Sequence, residues 1–508
     1  MGKKFWIGVG IVFACALLFV VGCVLIMFLA PGVELFGIRY VAPNQGVYEF
    51  NEAVESFSGD VYIEIDEVPI TISYPYSSAA RIHYKQDFVG FTRTQAKTAY
   101  LEYTIESNDL HIKAYDLKKF VYARPSVDGS DCFLNITLPN SFVGKNLYIK
   151  ASSSNVTLEG NTSLHNIIDI KTSGIVNFNN NVYANQLKIE TGKMLSIDSN
   201  VVCNDINIVG GNNDIKILGE RAGSVNIETS GGNLYMKTIE NLTFKSSSGS
   251  LKALDENGTT ITSANIETYS GNILVSKLLG SGEHTLKSTV GNATIGEANG
   301  TLNITVPRGA IKISSAETAN VTGGIGVVEI KEVQTQAHIE TRNGYIYVGE
   351  KDTNKVRNIT ASSQTGKIFV YGVSGIVDLE STNNAIELVA NSVTNVRVVS
   401  GSSVTATGLA GNVTISANGD VDVTMASING NTDITTGDRS RNVVFRMANT
   451  ELSSVNYHFK STKSSAVAIY SGTTLVEDNR SDVQSPDTSN PYNISIQTSY
   501  ARQYIYAK

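Results

Sequence analysis

A strand–hinge–strand unit recurs through the middle of the chain and constrains its fold more than any other feature. It reads VNIETSGGNLYM at 225–236, ANIETYSGNILV at 264–275 and AHIETRNGYIYV at 337–348. After each hinge come two apolar residues separated by one position, and successive pairs lie about 19 residues apart. A fixed period of this kind is typical of stacked repeats. Fifteen pairs follow one another: Val156/Leu158, Val176/Phe178, Leu195/Ile197, Ile215/Ile217, Leu234/Met236, Leu251/Ala253, Ile273/Val275, Ala293/Ile295, Ile311/Ile313, Val328/Ile330, Ile346/Val348, Ile368/Val370, Ile386/Leu388, Val404/Ala406 and Val421/Val423.

The alternation of apolar and polar residues on both sides of the hinge puts every second side chain on one face. A single unit cannot bury that face, but stacked units can, because each strand can pair with the equivalent strand one turn away. The sequence therefore predicts an all-β fold, a parallel β-helix or β-solenoid of about 15 coils over residues 141–440.

The hinge itself is glycine or asparagine in twelve of the fifteen units, and Ser154, Lys193 and Ser402 are the exceptions. These two residue types tolerate positive φ at low cost. The sequence thus predicts a tight corner in the left-handed conformation at Gly174, Asn213, Gly232, Gly249, Gly271, Gly291, Gly309, Gly326, Gly344, Gly366, Asn384 and Gly419.

The two ends of the chain differ from the middle. Residues 31–140 contain 17 of the 40 Phe and Tyr residues, and 441–508 contain another 8. An open solenoid end exposes unpaired strand edges, so β-rich caps are expected there. The predicted organisation is a membrane anchor at 1–30, an N-terminal β cap at 31–140, the solenoid at 141–440 and a C-terminal β cap at 441–508.

The N-terminus predicts a signal anchor. Lys3 and Lys4 precede an uncharged run over 5–30, which as a helix would be about 39 Å long, enough to cross a bilayer. The two lysines predict a cytoplasmic N-terminus, with 31–508 extracellular or periplasmic. The alternative is a lipoprotein, because VVGC at 20–23 is similar to a lipobox with Cys23 as the lipidated residue. The apolar run continues beyond Cys23, which favours the transmembrane anchor.

Two cysteines, Cys132 and Cys203, lie outside the predicted anchor. They could pair in an oxidising compartment if their Cα atoms came within about 7 Å. The simpler interpretation is two buried small side chains.

The order of SGDVYIEID near residue 58, ITLP at 136–139 and then serial hinge-glycine coils resembles the bacterial "putative adhesin" β-solenoid domain of unknown function. The resemblance covers most of 50–440. It implies a membrane-anchored or exported solenoid, and it brings no catalytic residues.

The composition and the motifs narrow the function. The net charge is −7 and 17% of the residues are charged. This composition does not indicate the basic stripe that is expected of a nucleic-acid-binding protein. The six histidines are dispersed without metal-ligand spacing. No hydrolase or phosphate-binding motif is present, and outward positions carry no run of carboxylates. We therefore expect a non-catalytic protein without a cofactor or a bound metal.

Tyr347, Phe369 and Tyr371 are the only residues that indicate a ligand surface. They are predicted to lie on the outer face of adjacent coils, where aromatic rings could stack on a sugar. The alternative is a structural ladder along the sheet.

The sequence thus predicts an adhesive or structural module of the cell surface, bound to the membrane through 5–30, with a cell-surface glycan or protein as its possible partner. Two other classes stay open. One is a self-assembling envelope scaffold resembling the bactofilins, and the other is a carbohydrate-active enzyme on a β-helix.

Overall fold

The computed structural model describes residues 12–22 and most of residues 34–507. Outside the described residues lie 1–11, 23–33, 36–37, 40–43, 55, 66–67, 76–77, 91–100, 115–120, 124–131, 140, 163, 198–200, 211–213, 218–220, 254–259, 448–451, 463–465, 486–490 and 508. The chain divides into two compact units, residues 1–218 (unit 1) and 219–508 (unit 2). That division falls inside the segment 141–440. The predicted boundaries at 30, 140 and 440 stay predictions.

Helical structure is sparse. Residues 12–22 form α1, and Leu452–Ser454 form a single 3₁₀ turn. In the part of the chain that the structure describes, no helix is both long and apolar enough to cross a membrane. Most of the predicted anchor over 5–30 and the lipidation candidate Cys23 lie outside the described residues, so the anchor stays a prediction.

Apart from α1, the described part of unit 1 is built mainly of β-strands. They are β1 (Glu34–Leu35), β2 (Ile38–Arg39), β3 (Asn44–Ala53), β4 (Val61–Ile65), β5 (Ile70–Ser73), β6 (Arg81–Gly90), β7 (Leu101–Glu106), β8 (Asp109–Ala114), β9 (Val121–Ala123), β10 (Phe133–Thr137), β11 (Asn146–Ala151), β12 (Val156–Glu159), β13 (His165–Thr172), β14 (Val176–Phe178), β15 (Val182–Thr191), β16 (Leu195–Ile197), β17 (Val201–Gly210) and β18 (Ile215–Ile217).

Two parallel ladders run through unit 1, one on each side of the hinge. The first has the order β4–β11–β13–β15–β17 and the second has the order β5–β12–β14–β16–β18. Stacking therefore begins at Val61, one coil before the first predicted pair. Beyond that coil, β8 pairs with β4 and β10 pairs with β5. Antiparallel strands then cover both, since β7 pairs with β8 and β6 with β10.

Unit 2 contains the remaining strands. They are β19 (Arg221–Thr229), β20 (Leu234–Met236), β21 (Ile239–Ser246), β22 (Leu251–Ala253), β23 (Thr260–Thr268), β24 (Ile273–Leu278), β25 (Glu283–Ser288), β26 (Ala293–Val306), β27 (Ile311–Gly323), β28 (Val328–Thr341), β29 (Ile346–Val348), β30 (Val356–Ser363), β31 (Ile368–Val373), β32 (Ile376–Ser381), β33 (Ile386–Ser400), β34 (Val404–Ala417), β35 (Val421–Met425), β36 (Thr432–Thr436), β37 (Asn442–Met447), β38 (Asn456–Ser461), β39 (Val467–Ser471), β40 (Thr474–Arg480), β41 (Asp482–Gln484), β42 (Asn493–Thr498) and β43 (Arg502–Ala507).

Parallel stacking continues through unit 2, and β26, β27, β28, β33 and β34 each contribute to both ladders because they run from one side of a coil to the other. The last coils are not in chain order. Strands β42 and β43 lie between β36 and β38 and between β37 and β39 respectively. The outermost parallel strands, β38 and β39, then pair with the antiparallel strands β41 and β40.

The core is the row of apolar pairs. All fifteen predicted pairs begin a strand or lie at the start of a longer one. Each of their residues is at most 3% exposed, apart from Ile197, whose side chain lies outside the described part. Burial of this kind is the main stabilising contribution. The prediction of an all-β solenoid of about 15 coils is confirmed.

The predicted left-handed conformation of the hinges is wrong. Of the described hinge residues, only Gly309 has a positive φ, 156°. Glycine is required for a different reason, namely close approach between coils. A methyl group on Gly271 would overlap the carbonyl oxygen of Gly249, and the same overlap recurs at Gly291, Gly326, Gly344 and Gly366. Asn213 lies outside the described residues.

A ladder of buried hydroxyls accompanies the hinges. The hydroxyl of Thr268 donates to the carbonyl of Gly249 in the preceding coil (3.0 Å) and accepts from the backbone N–H of Gly271 (2.9 Å). Ser288 repeats both bonds one coil later, at 2.8 and 2.9 Å. Buried backbone groups need hydrogen-bond partners. The Thr or Ser hydroxyl supplies one to the hinge carbonyl of the preceding coil and one to the hinge N–H of its own coil, two groups that the tight corner leaves outside the sheet.

Candidate functional site

The predicted aromatic surface lies on the second strands of unit 2. Tyr347 in β29 and Phe369 in β31 occupy paired positions and stack with ring centroids 4.7 Å apart and planes only 1° from parallel. In each strand the residues before and after the aromatic residue point inward. The two rings therefore lie on the outer face of the sheet. The structure therefore brings this pair together as the sequence predicts.

Tyr371 lies two residues beyond Phe369 on the same outer face. Its hydroxyl donates to Oε1 of Glu387 (3.1 Å), and the ammonium group of Lys351 lies 5.2 Å from its ring centroid. Burial, followed by the hydrogen bond to Glu387, raises the pKa of Tyr371 to about 12. Tyr371 is thus neutral at physiological pH and is held against a carboxylate and a cation.

The stacking limits what this surface can bind. Because the two rings face each other, each has one face covered by the other. The next positions along the ladder are Glu329 beside Tyr347 and Glu387 beside Phe369. A ligand would meet ring edges, the Tyr347 hydroxyl and carboxylates, which is a surface for hydrogen bonds and C–H contacts with a polyol.

Charges on the outer faces are arranged as pairs between neighbouring coils. Examples in unit 2 are Lys287–Glu267 (2.7 Å), Lys331–Glu350 (3.2 Å) and Arg397–Asp378 (2.7 Å). All of these groups are exposed, so each pair contributes only about 0–1 kcal/mol. These carboxylates therefore each lie beside a cation of a neighbouring coil. In the described residues no group of three or more His, Cys, Asp or Glu side chains has metal-binding geometry.

A second aromatic surface, which the sequence analysis missed, lies in unit 1. Tyr62 in β4 stacks on His111 in β8 (4.7 Å between centroids, 5° between planes) and on Tyr148 in β11 (4.8 Å, 12°). We call these three rings the aromatic stack. They form one side of an open groove of about 430 Å³, a volume within the usual range of ligand sites.

The other side of the groove is a row of charged residues at the next outward positions. In spatial order it contains Lys113, Glu64, Lys150 and Lys171, which we call the lysine row. Lys150 pairs with Glu64 (2.7 Å), and Lys171 pairs with Glu190 (2.6 Å), which does not line the groove. Among the described residues Lys113 forms no ion pair.

Asp169 completes the lining beyond Tyr148. Burial raises the pKa of this carboxyl above its ordinary value, although Lys188 acts in the opposite direction. Burial also raises the pKa values of Tyr62 and Tyr148. Both phenols are therefore neutral hydrogen-bonding groups at the groove.

A signal for the aromatic stack is present in the sequence. The segments VYIEI at 61–65, LHIKA at 110–114 and LYIKA at 147–151 share an apolar–aromatic–Ile–charged order. The segments are far apart in the chain, and LHIKA lies outside the regular period. Only the topology, which places β8 and β11 on opposite sides of β4, shows that the three aromatic positions are neighbours.

Cys132 and Cys203 do not form the disulfide that the sequence left open. Cys132 is half-buried and Cys203 is 5% exposed, and neither is in a disulfide. Burial raises the pKa of the Cys203 thiol to about 12. This thiol is therefore protonated and unreactive, as expected for a small core side chain.

No family model matches the chain, and no curated protein matches it. Solved structures that match include a protein described as a "putative cell adhesion protein" from Clostridium sporogenes. The identity is 9%, the match covers 91% of this chain and 100% of that chain, and the TM-score is 0.14. The solenoid fold of the present chain rests on its own strand pairing.

Proposed function

We propose that this protein is a membrane-anchored, extracytoplasmic β-solenoid that acts as a non-catalytic adhesive module of the cell surface. The observation that carries the proposal is the distribution of charged and aromatic side chains on the outer face. Charges there are paired between coils, whereas two aromatic surfaces, the Tyr347–Phe369 pair and the aromatic stack, are left half-exposed and bordered by hydrogen-bonding groups.

The covered strand edges at the ends favour a module that does not polymerise. They argue against a self-assembling scaffold resembling the bactofilins. End-to-end assembly needs parallel strand edges that can pair with another copy. In unit 1 the terminal parallel strands β8 and β10 are covered by antiparallel strands, and in unit 2 the same is true of β38 and β39. A structural role as a spacer is compatible with the same features.

Pairing of the outer carboxylates supports the non-catalytic part of the proposal. Acid–base catalysis on a β-helix would need two or more carboxylates converging on one cleft. In the groove of unit 1, Glu64 is paired with Lys150, and Asp169 is the other acid of the lining.

The test is saturable binding of the full-length chain, purified in detergent, to intact cell-envelope fractions and to a panel of glycans. We expect binding with a defined stoichiometry. The variant Tyr347→Ala/Phe369→Ala should weaken it if the pair is a contact surface. A matched control is Tyr470→Ala/Tyr506→Ala, which removes both rings of another half-exposed stack in the same unit.

The outcomes separate the two interpretations of the pair. Equal weakening by both variants would show that the stacks act only as structural ladders. Absence of any binding to envelope fractions or glycans would contradict the adhesive function itself.

A further inference from the structure

We propose that the groove between the aromatic stack and the lysine row of unit 1 binds an anionic glycan, meaning a sugar chain that carries carboxylate or phosphate groups. This inference rests on the adhesive function proposed above and names a ligand class for it. The site is distinct from the Tyr347–Phe369 surface, because it lies in the other unit of the chain.

The shape of the groove fits an extended chain. Its lining crosses four neighbouring strands, β8, β4, β11 and β13, which corresponds to a length of about 14 Å at the usual strand spacing. Ile63, Ile112 and Ile149 lie between the two rows of outward side chains and point into the core, so the backbone forms the floor. A groove that is open and elongated suits a polymer better than a compact ligand.

The charge of the groove favours an anion. Three lysines and two acids line it. Lys150 is paired with Glu64, and Lys171 is paired with Glu190, which does not line the groove. The ammonium group of Lys113 forms no ion pair among the described residues. The lining thus carries one more ammonium group than carboxylates, three against two.

The aromatic stack favours sugars over nucleobases. Bases bind single-strand platforms through free ring faces, but both faces of Tyr62 are covered by His111 and Tyr148. Tyr62 therefore offers its edge and its hydroxyl, and His111 and Tyr148 add an imidazole and a second phenol hydroxyl. These groups can donate hydrogen bonds to, and accept them from, the hydroxyls of a sugar.

The experiment is calorimetric titration of the full-length chain in detergent with three probes. They are a uronic-acid tetrasaccharide, a glycerol-phosphate polymer and a neutral tetrasaccharide. We expect saturable binding of at least one anionic probe, weakening with added salt, and at least about tenfold weaker binding of the neutral probe, because a charge-assisted hydrogen bond is worth about that factor or more. The two anionic probes distinguish carboxylate from phosphate as the recognised group.

Two variants localise the site. Lys113→Gln/Lys171→Gln should weaken binding of the anionic probe by about tenfold or more. Tyr148→Ala, which removes one ring of the aromatic stack, should also weaken this binding. The control Lys245→Gln/Lys287→Gln removes the same charge from an exposed wall of unit 2 and should change the affinity by less than about twofold.

Several results would overturn the inference. They are equal binding of neutral and anionic probes, no binding of either anionic probe, or equal weakening by the groove and control variants. If the Lys113→Gln/Lys171→Gln variant still bound envelope fractions like the unchanged chain, the groove inference would fail while the adhesive function stood. If the unchanged chain did not bind envelope fractions, the result would instead contradict the adhesive function on which the inference rests.

Discussion

Single residues at the inner corner decide whether neighbouring coils can stack. The sequence marks the right positions, because glycine recurs at the hinge. The reason inferred from conformational preference is wrong, since backbone dihedrals of most hinges are ordinary. Steric contact with the preceding coil cannot be read from one repeat in isolation, because it depends on the register between two coils.

The first prediction concerns Gly271→Ala. The new methyl group would overlap the carbonyl oxygen of Gly249, so we expect a loss of about 1–3 kcal/mol, typical of an overpacked site. The matched control is Gly282→Ala, because a methyl group there meets nothing within 4 Å. Thermal unfolding together with hydrogen exchange at the hinges measures both. Equal stability of the two variants would disprove the steric role.

A second prediction concerns the hydroxyl ladder. Thr268→Val keeps the shape but leaves the carbonyl of Gly249 and the N–H of Gly271 without this partner. We expect a loss of about 1–3 kcal/mol, measured by denaturant unfolding. Thr268→Ser should restore most of the stability, because Ser288 makes the same two bonds one coil later. A serine variant as unstable as the valine variant would indicate that the methyl group matters instead.

Among the elements, the second strands are predictable and the end strands are not. The apolar pairs are local in sequence and all fifteen of them coincide with strands. The positions of β10, β42 and β43 depend on pairings with strands far away in the chain, and no local pattern encodes them. The aromatic stack was missed for the same reason.

Strand β13 begins with a buried histidine, His165. His165 is fully buried, and its Nε2 lies 3.0 Å from the hydroxyl of Tyr74. The rings of Tyr74 and Phe142 pack edge-on against it. Burial lowers the pKa of His165 to about 4 from its ordinary value of 6.5, so the folded state disfavours the protonated imidazole.

The third prediction follows from that shift. Between pH 6.5 and about 4 the unfolded state binds a proton that the folded state does not, so stability is full above pH 6.5 and falls as the pH decreases. The loss should approach about 3 kcal/mol near pH 4. His165→Gln should remove this part of the pH dependence, whereas His458→Gln, at an exposed position, should keep it. Denaturant unfolding from pH 7 to 4.5 measures the slopes, and an unchanged slope in His165→Gln would contradict the assignment.

For the whole molecule, fold and function differ in how far the sequence determines them. The period and the apolar alternation are enough to predict the solenoid. The function depends on which outward residues become neighbours, and that is set by coil register. Tyr347 and Phe369 were found because they lie in adjacent regular coils, whereas Tyr62, His111 and Tyr148 are brought together only by the irregular end of unit 1.

The central claim, an adhesive module that does not polymerise and that attaches to an envelope ligand, is tested most directly by sedimentation of the full-length chain in detergent, with and without envelope polysaccharide. We expect a single species whose mass does not change with protein concentration and which moves with the polysaccharide when it is added. Filaments that form without any ligand, together with no association with the polysaccharide, would contradict the account and favour a self-assembling scaffold.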